Sequence, residues 1–197
     1  EIMVDTYQLI ASEIRHRLSL HEQLNQTNRI YLQQNEKRLE ALDDLMLNQL
    51  NSFKDIDAVY YSSKDNWFSG YARFQDNIVH MYANESTHYN IHYEQIDDLT
   101  QTRTTLQIAP DYYATQSKWY RDAALDPDLG WGSSFSYYVL PTLALPNSVQ
   151  ITDATGKTMG VVGNDLFLDN VGNMLDGFFD FHKGNAFIVD DSGYLIG

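Results

Sequence analysis

The chain of 197 residues contains no cysteine, which excludes disulfide bonds, cysteine nucleophiles and thiolate metal sites. It has no apolar run of the roughly 20 residues that a membrane-spanning helix needs. A Gly-x-Ser-x-Gly nucleophile elbow and a glycine-rich phosphate loop are also missing. Because the commonest signatures of an enzyme are absent, we expect no catalytic residues and no cofactor.

Basic residues are scarce. Lysine and arginine number 13 against 27 acidic residues, so the formal net charge is −14, and most of the excess lies after residue 55. A surface of this sign repels phosphates, which excludes nucleic acids as partners. The hydrophobic fraction of 43% is still enough for a folded core of one domain. Since the chain starts at Glu1 without a signal-peptide pattern, we expect a piece of a longer protein.

Residues 1–54 contain neither glycine nor proline, and their apolar residues recur at helical spacing. This pattern predicts one long helix, with the polar stretch 25–36 as the place for a bend or an interruption. Two shorter helices joined near residues 25–28 are the alternative.

After residue 55 the pattern changes to that of strands, which are rich in β-branched and aromatic residues. Residues 76–116 are the exception, because they show no clear period; we expect an irregular loop there with short helices, for example Tyr93 to Leu99. An amphipathic helix is predicted over 169–179. The sum predicts an α+β fold with an antiparallel sheet. The predicted strands are 56–61, 67–74, 135–140, 143–152, 157–167, 185–189 and 194–196.

Four features follow one another in the last third of the chain. They are the pair Trp119-Tyr120, an aromatic run over 131–138, the strand end 160–165 (Gly-Val-Val-Gly-Asn-Asp), and a hairpin pattern over 184–196. In this order they resemble the double Cache (PAS-like, PDC) extracytoplasmic sensor domains of bacterial transmembrane receptors.

The resemblance implies a PAS-like antiparallel sheet flanked by a long N-terminal helix. It also implies a division of the chain into three parts. Residues 1–54 would be a stalk helix, 55–168 the membrane-distal Cache module, and 169–197 a linker helix with the start of a membrane-proximal module.

The resemblance further implies a ligand pocket. Amino-acid-binding members of the family carry an Arg-x-Trp-Tyr segment, a later tyrosine and the aspartate that closes the Gly-Val-Val-Gly-x-Asp strand. The residues expected to contact the ligand here are Ser117, Trp119, Tyr120, Trp131, Phe135, Tyr137 and Asp165.

Ser117 stands where the family has arginine, and a serine cannot grip a carboxylate as an arginine does. Lys118 and Arg121 are candidate substitutes, although on an extended segment their offsets point the wrong way. This departure predicts a ligand other than an α-amino acid. The alternatives for the other residues are ordinary core packing for the aromatic rings and helix capping for Asp165, where Asp169 is the better candidate.

We therefore expect the non-catalytic sensing domain of a receptor in the cell membrane, facing the periplasm and binding a small amino-acid-like or amine ligand. The parent chain would carry a histidine kinase, diguanylate cyclase or chemotaxis domain, and the N-terminal helix would pair two protomers. The alternative is a protein-interaction ectodomain without a small ligand, recognisable by a filled interior. His88 and His92, with His80 upstream and Glu94 nearby, have a spacing that could hold a metal, but the histidines are expected to be solvated loop residues, so no metal site is predicted.

Overall fold

The computed structural model describes residues 2–34, 39–75, 77–97, 100–137, 140–179, 187–189 and 193. Two helices open the chain: α1 (Ile2–Gln34) and α2 (Leu39–Ser52). None of the described helices is apolar enough over a sufficient length to cross a lipid bilayer.

The N-terminal segment doubles back on itself. The Nδ2 atom of Asn28 lies 3.1 Å from Oε1 of Gln49, and the reciprocal bond from Gln49 Nε2 to Asn28 Oδ1 is 2.6 Å long. In one straight helix these residues would be about 30 Å apart, because a helix rises 1.5 Å per residue. The segment therefore forms a pair of helices rather than one long helix. Residues 25–28, the joint of the alternative prediction, lie inside α1.

Nine strands of the described chain form one antiparallel sheet. The strands are β1 (Ala58–Ser63), β2 (Phe68–Phe74), β3 (Asn77–Ala83), β4 (Ile91–Ile96), β5 (Arg103–Ala109), β6 (Gly130–Trp131), β7 (Phe135–Ser136), β8 (Leu143–Thr152) and β9 (Thr158–Phe167). Their order in the sheet is β5-β4-β3-β2-β1-β9-β8-β6, with β7 also paired to β8. Helix α3 (Lys118–Leu125) precedes β6, and helix α4 (Leu168–Phe179) follows β9.

The predicted α+β class with an antiparallel sheet is confirmed, but the interpretation of residues 76–116 was wrong. That segment supplies β3, β4 and β5, and the proposed helix from Tyr93 lies in β4 as far as Ile96. The reason is that β5 forms the edge of the sheet and is exposed along nearly its whole length, so its sequence carries no hydrophobic period. Residues 98–99 and most of the predicted hairpin 184–196 lie outside the described residues.

Strand alternation gives the sheet two different faces. Val59 and Tyr61 of β1 point toward the helices, where Leu42, Met46 and Leu50 of α2 are fully buried against them. Tyr60, between them, points to the opposite face. The helices α1 and α2 therefore cover one face, and the candidate site lies on the other.

Candidate ligand-binding site

A cavity of about 430 Å³ opens on the face of the sheet opposite α1 and α2. Its floor consists of side chains from β2, β3, β4 and β5, and its walls come from segments 110–112, 117–119 and 133–137. The interior is therefore not solidly packed, and its volume suits a small molecule. The lining residues are Tyr60, Phe68, Met81, Ile91, Tyr93, Ala109, Pro110, Asp111, Tyr112, Ser117, Lys118, Trp119, Ser133, Phe135, Ser136 and Tyr137.

The wall segment 110–117 is fixed at both ends by hydrogen bonds to turns. The Tyr112 amide donates to the Tyr89 carbonyl at 2.8 Å. Farther along, the amide and hydroxyl of Thr115 both donate to Asn66 Oδ1, at 3.1 and 2.7 Å. Asn66 has φ +62, a left-handed conformation that asparagine tolerates, and it closes the β1–β2 turn. The turns of the sheet thus hold this wall over the cavity.

The cavity combines an apolar interior with charged and polar groups at its edge. Phe68 and Met81 are buried in the floor, and the ring of Trp119 stands edge-on to the Tyr60 ring with centroids 4.8 Å apart. At the edge, Asp111 and Lys118 are both exposed and both line the cavity. Such a site can hold the apolar part of a ligand in the interior and one charge of each sign at the edge.

Asp165 lies behind the wall of this cavity rather than on its surface. Its carboxylate is 0% exposed and accepts hydrogen bonds from two tyrosine hydroxyls, from Tyr60 at 2.7 Å and from Tyr137. Both tyrosines line the cavity, whereas Asp165 itself does not. The carboxylate therefore fixes the two rings that a ligand would touch, and its oxygens are not engaged in capping a helix.

Burial also changes the protonation of this group. The loss of hydration raises the pKa of Asp165 to about 7, against the opposing effect of the hydrogen bonds from Tyr137 and Tyr60. Burial likewise raises the pKa of Tyr60 and of Tyr137 well above the ordinary value, and the nearby Asp165 charge adds to the shift. Near neutral pH, two protonated phenols therefore line the cavity, and one titrating carboxyl lies behind them.

Two glycines make room for the Tyr60 side chain. Gly163 on β9 and Gly70 on β2 are its cross-strand neighbours. A Cβ atom on Gly163 would lie 2.4 Å from Cε2 of Tyr60 and 2.9 Å from its hydroxyl oxygen, closer than such atoms approach. The second glycine of the Gly-Val-Val-Gly run is therefore required by the ring that donates to Asp165.

The Gly163→Ala variant should be less stable by about 1–3 kcal/mol, because the Tyr60 ring must leave its place against Asp165. Urea denaturation measures this loss. Gly172→Ala is the matched control: apart from its chain neighbours and the backbone of its own helix, nothing lies within 4 Å of its added Cβ. Because Gly172 sits in α4, this variant should gain about 0.5–1 kcal/mol. Equal stability of Gly163→Ala and the wild-type chain would show that the ring does not need this space.

The structure brings four of the seven predicted ligand-contact residues to the cavity: Ser117, Trp119, Phe135 and Tyr137. Asp165 is connected to the cavity only through the two tyrosines. The other two lie elsewhere. Tyr120 is buried in the core on the same face of the sheet, and Trp131 packs against α1 and α4.

Sequence reasoning missed several lining residues, of which Tyr60 and Asp111 matter most for chemistry, and it named Lys118 only as a substitute for the family's arginine. For Lys118 the signal was present: Trp119, Tyr120 and Ala123 are buried at helical spacing, and residues 118–125 form a helix rather than an extended segment. Lys118 and Ser117 both line the cavity. The argument against Lys118 as a substitute for the family's arginine assumed an extended chain, so it does not apply to this helix.

Ser69, His80 and Asp43 form a Ser-His-Asp set on the opposite face of the sheet. The donor and acceptor roles in this set differ from those that activate a serine nucleophile. Arg103 Nη1 lies 2.6 Å from His80 Nδ1, and a guanidinium can only donate, so the imidazole proton sits on Nε2. That nitrogen is 3.0 Å from Ser69 Oγ, which itself donates to Asp43 Oδ1 at 2.5 Å. His80 therefore cannot take the serine proton. Burial, followed by the Arg103 charge, lowers the pKa of His80 to about 3.

The prediction that the histidines are solvated was wrong for His80, which is buried, and His92 is half-buried, whereas His88 is exposed. His80 and His92 lie on either side of Tyr82 in a stack of rings, with centroids 4.8 and 5.0 Å from it. His88 occupies the left-handed end of a short 3-10 helix. Within the described part of the chain, no group of three or more His, Asp or Glu side chains is arranged to hold a metal ion.

Comparison with known proteins gives matches in structure alone: no protein-family model and no curated protein matches this sequence. The ligand-binding domain of the Campylobacter jejuni chemoreceptor Tlp3, solved with 4-methylisoleucine, has a TM-score of 0.60 at 15% identity over 96% of this chain and 64% of that one. The Pseudomonas aeruginosa amino-acid chemoreceptor PctC, solved with GABA, has a TM-score of 0.65 at 19% identity, covering 99% and 74%. The Pseudomonas fluorescens chemoreceptor CtaA, solved with L-serine, gives 0.63 at 17%, covering 96% and 67%.

These matches define the fold as that of the ligand-binding sensory domains of bacterial receptors, as the resemblance to Cache domains predicted. The chain spans 64% of the length of the Tlp3 domain and 67% of the CtaA domain.

Proposed function

We propose that this chain is the ligand-sensing part of a bacterial transmembrane receptor and binds a small polar molecule in the cavity between the sheet and segments 110–119 and 133–137. The observation that carries the proposal is the cavity of about 430 Å³ with aromatic walls. A domain that only bound another protein on its surface would have no use for this space. The alternative of an interaction ectodomain without a small ligand is therefore disfavoured.

The ligand class follows from the charges at the edge of the cavity. Lys118 forms an ion pair with Asp122 one helical turn away, and its ammonium group has further N–H donors for a ligand carboxylate. Asp111 can accept from an ammonium group, so an amino-acid-like molecule or an amine fits best. Solved neighbours of the same fold contain 4-methylisoleucine, GABA and L-serine, which supports this class. A single lysine holds a carboxylate as a point charge rather than as a two-pronged fork, so recognition should be less selective for α-amino acids than with an arginine.

The remaining features of the receptor follow from the class. The domain would face the periplasm, anchored through parts of the parent protein that carry a kinase, cyclase or chemotaxis output. Ligand binding would favour one of two arrangements of the helices relative to the sheet, and pairing of two protomers through α1 would pass the change on. No bond is made or broken by these residues in this scheme.

Thermal shift with a panel of ligands tests the proposal. L-valine, L-serine, GABA, simple amines and simple carboxylates are added to the wild-type chain, and at 100 times its Kd a binding ligand stabilises it by about 2.7 kcal/mol. That corresponds to a rise in Tm of roughly 5–10 °C for a chain of this size. If no member of the panel changes Tm, the small-molecule function proposed here is wrong.

The Lys118→Ala variant should lower the affinity for ligands with a carboxylate by about 3–10-fold and leave simple amines unaffected, because the lost group is an exposed cation. Titration by calorimetry measures the change. Lys157→Ala is the matched control, since Lys157 is an exposed lysine in the β8–β9 turn, away from the cavity. Equal effects of the two substitutions would remove Lys118 from the binding site.

A further inference from the structure

Trp131 lies on β6, two residues before the cavity wall 133–137, yet its side chain points to the helix side of the sheet. The indole Nε1 donates to Glu22 Oε1 on α1 at 2.9 Å. Its ring also contacts His21, with centroids 5.4 Å apart. The short segment 130–137 thus contacts α1 near its start and forms a wall of the cavity in the rest of its length.

His21 is a rigid partner for this contact. It is fully buried, and its Nδ1 lies 2.6 Å from Oδ1 of Asn164, while Asn164 Nδ2 donates to the His21 carbonyl at 2.8 Å. Burial lowers the pKa of His21, so the ring is neutral. Asn164 precedes Asp165 on β9, and its side chain points to the opposite face from that of Asp165. Adjacent residues of β9 therefore contact the cavity tyrosines and α1.

Buried polar groups continue this contact along α1. Asn25 Nδ2 donates to the carbonyl and the Oδ1 of Asn147, both at 2.7 Å, and Asn28 is paired with Gln49. These side chains and His21 recur at helical spacing on the face of α1 that meets the sheet. Since hydrogen bonds are directional, those of His21 and Asn25 fix the position of α1 along β9 and β8 in a way that apolar contacts would not, while the Asn28–Gln49 pair connects α1 to α2.

We propose that Trp131 is a positioning residue that couples the cavity wall 133–137 to helix α1 through Glu22 and His21. The inference rests on the proposed function, since it names the route by which a ligand under the wall reaches α1. A ligand that moves the wall also moves β6, and the two contacts of the indole transmit that displacement to the helix. Coupling of this kind is reciprocal, so weakening the contact at α1 must loosen the wall even without a ligand.

The reciprocal effect can be measured with one thiol, because the wild-type chain has no cysteine. Ala144 is fully buried on β8 and pairs with Phe135 of the wall, so an Ala144→Cys thiol reacts with Ellman's reagent only when the wall opens. In this background, Trp131→Phe and Glu22→Ala should each raise the reaction rate about 2–10-fold, as the loss of one ordinary, solvent-exposed hydrogen bond implies. The double variant should be no faster than the faster single one, because both remove the same contact.

Two controls keep the result specific. Glu22→Gln retains an acceptor for the indole and should restore a rate near that of the Ala144→Cys parent. Glu13→Ala removes another acidic side chain of α1, one that pairs with Arg17, and should leave the rate unchanged. The inference is overturned if neither Trp131→Phe nor Glu22→Ala changes the rate, or if Glu13→Ala raises it equally. No ligand is used, so this outcome is separate from that of the ligand panel.

Discussion

Between pH 8 and pH 5, the wild-type chain should gain about 2–3 kcal/mol of unfolding free energy relative to the Asp165→Asn variant. The gain follows from the pKa of the Asp165 carboxyl, which burial raises from 3.8 to about 7. Asparagine has the same shape and can still pair with the hydroxyls of Tyr60 and Tyr137, but it does not titrate. Urea denaturation of both proteins at intervals across this pH range measures the difference.

The sign follows from proton binding. In the folded chain the carboxyl takes up a proton as the pH falls through about 7, whereas in the unfolded chain it stays ionised until near 3.8. Because the folded state binds more protons in this window, lowering the pH stabilises it. The ionised carboxylate at pH 8 is the costly state, since it is fully buried with only tyrosine hydroxyls as partners.

The wild-type profile alone would not show this effect, because other buried groups titrate in the same range. The pKa of Asp57, raised to about 6 by burial, acts in the same direction. The lowered pKa values of His80 and His21 act in the opposite direction, because the unfolded chain gains their protons first as the pH falls below 6.5. The difference between wild type and Asp165→Asn removes these contributions. If that difference is constant with pH, the carboxyl does not titrate with a raised pKa.

The boundaries of β8 and β9 were predictable because both strands are long and rich in β-branched residues with a turn between them. The sequence predicted strands over 143–152 and 157–167, and the structure has 143–152 and 158–167. The strands of segment 76–116 were missed, since their pattern depends on which neighbours cover each face. Tyr82, His92 and Glu94 of this segment contact one another across β3 and β4, so polar residues occupy positions that a periodicity argument assigns to loops.

The candidate site, like the strands, was predictable in part from the sequence. The aromatic residues Trp119, Phe135 and Tyr137 were expected at the cavity and lie there. The position of Asp165 behind two tyrosines was not predictable, because it depends on the register of β1 against β9, which places Tyr60 beside Gly163. The assignment of Trp131 to the cavity failed for the same reason. In a strand of two residues, the sequence does not show which face a side chain points to, because that depends on the pairing with β8.

The Asn164→Ala variant should be less stable than the wild-type chain by about 2–4 kcal/mol. The substitution removes both hydrogen bonds between β9 and His21, which leaves the buried Nδ1 of that histidine without its partner, and it opens a small void. Asn77→Ala is the matched control. Asn77 also lies on a strand and bonds to a side chain, Gln95, but both are exposed, so its loss should be within about 0.5 kcal/mol.

The same variant distinguishes a local role of Asn164 from a role in holding α1 to the sheet. If the bonds to His21 anchor the helix, the amides of α1 should exchange hydrogen faster in Asn164→Ala than those of α2, which is held by the separate apolar contacts of Leu42, Met46 and Leu50. Equal acceleration in both helices would mean that the loss of stability is global. A stability equal to wild type would mean that water replaces the asparagine side chain without cost, and α1 would then be held by its apolar contacts alone.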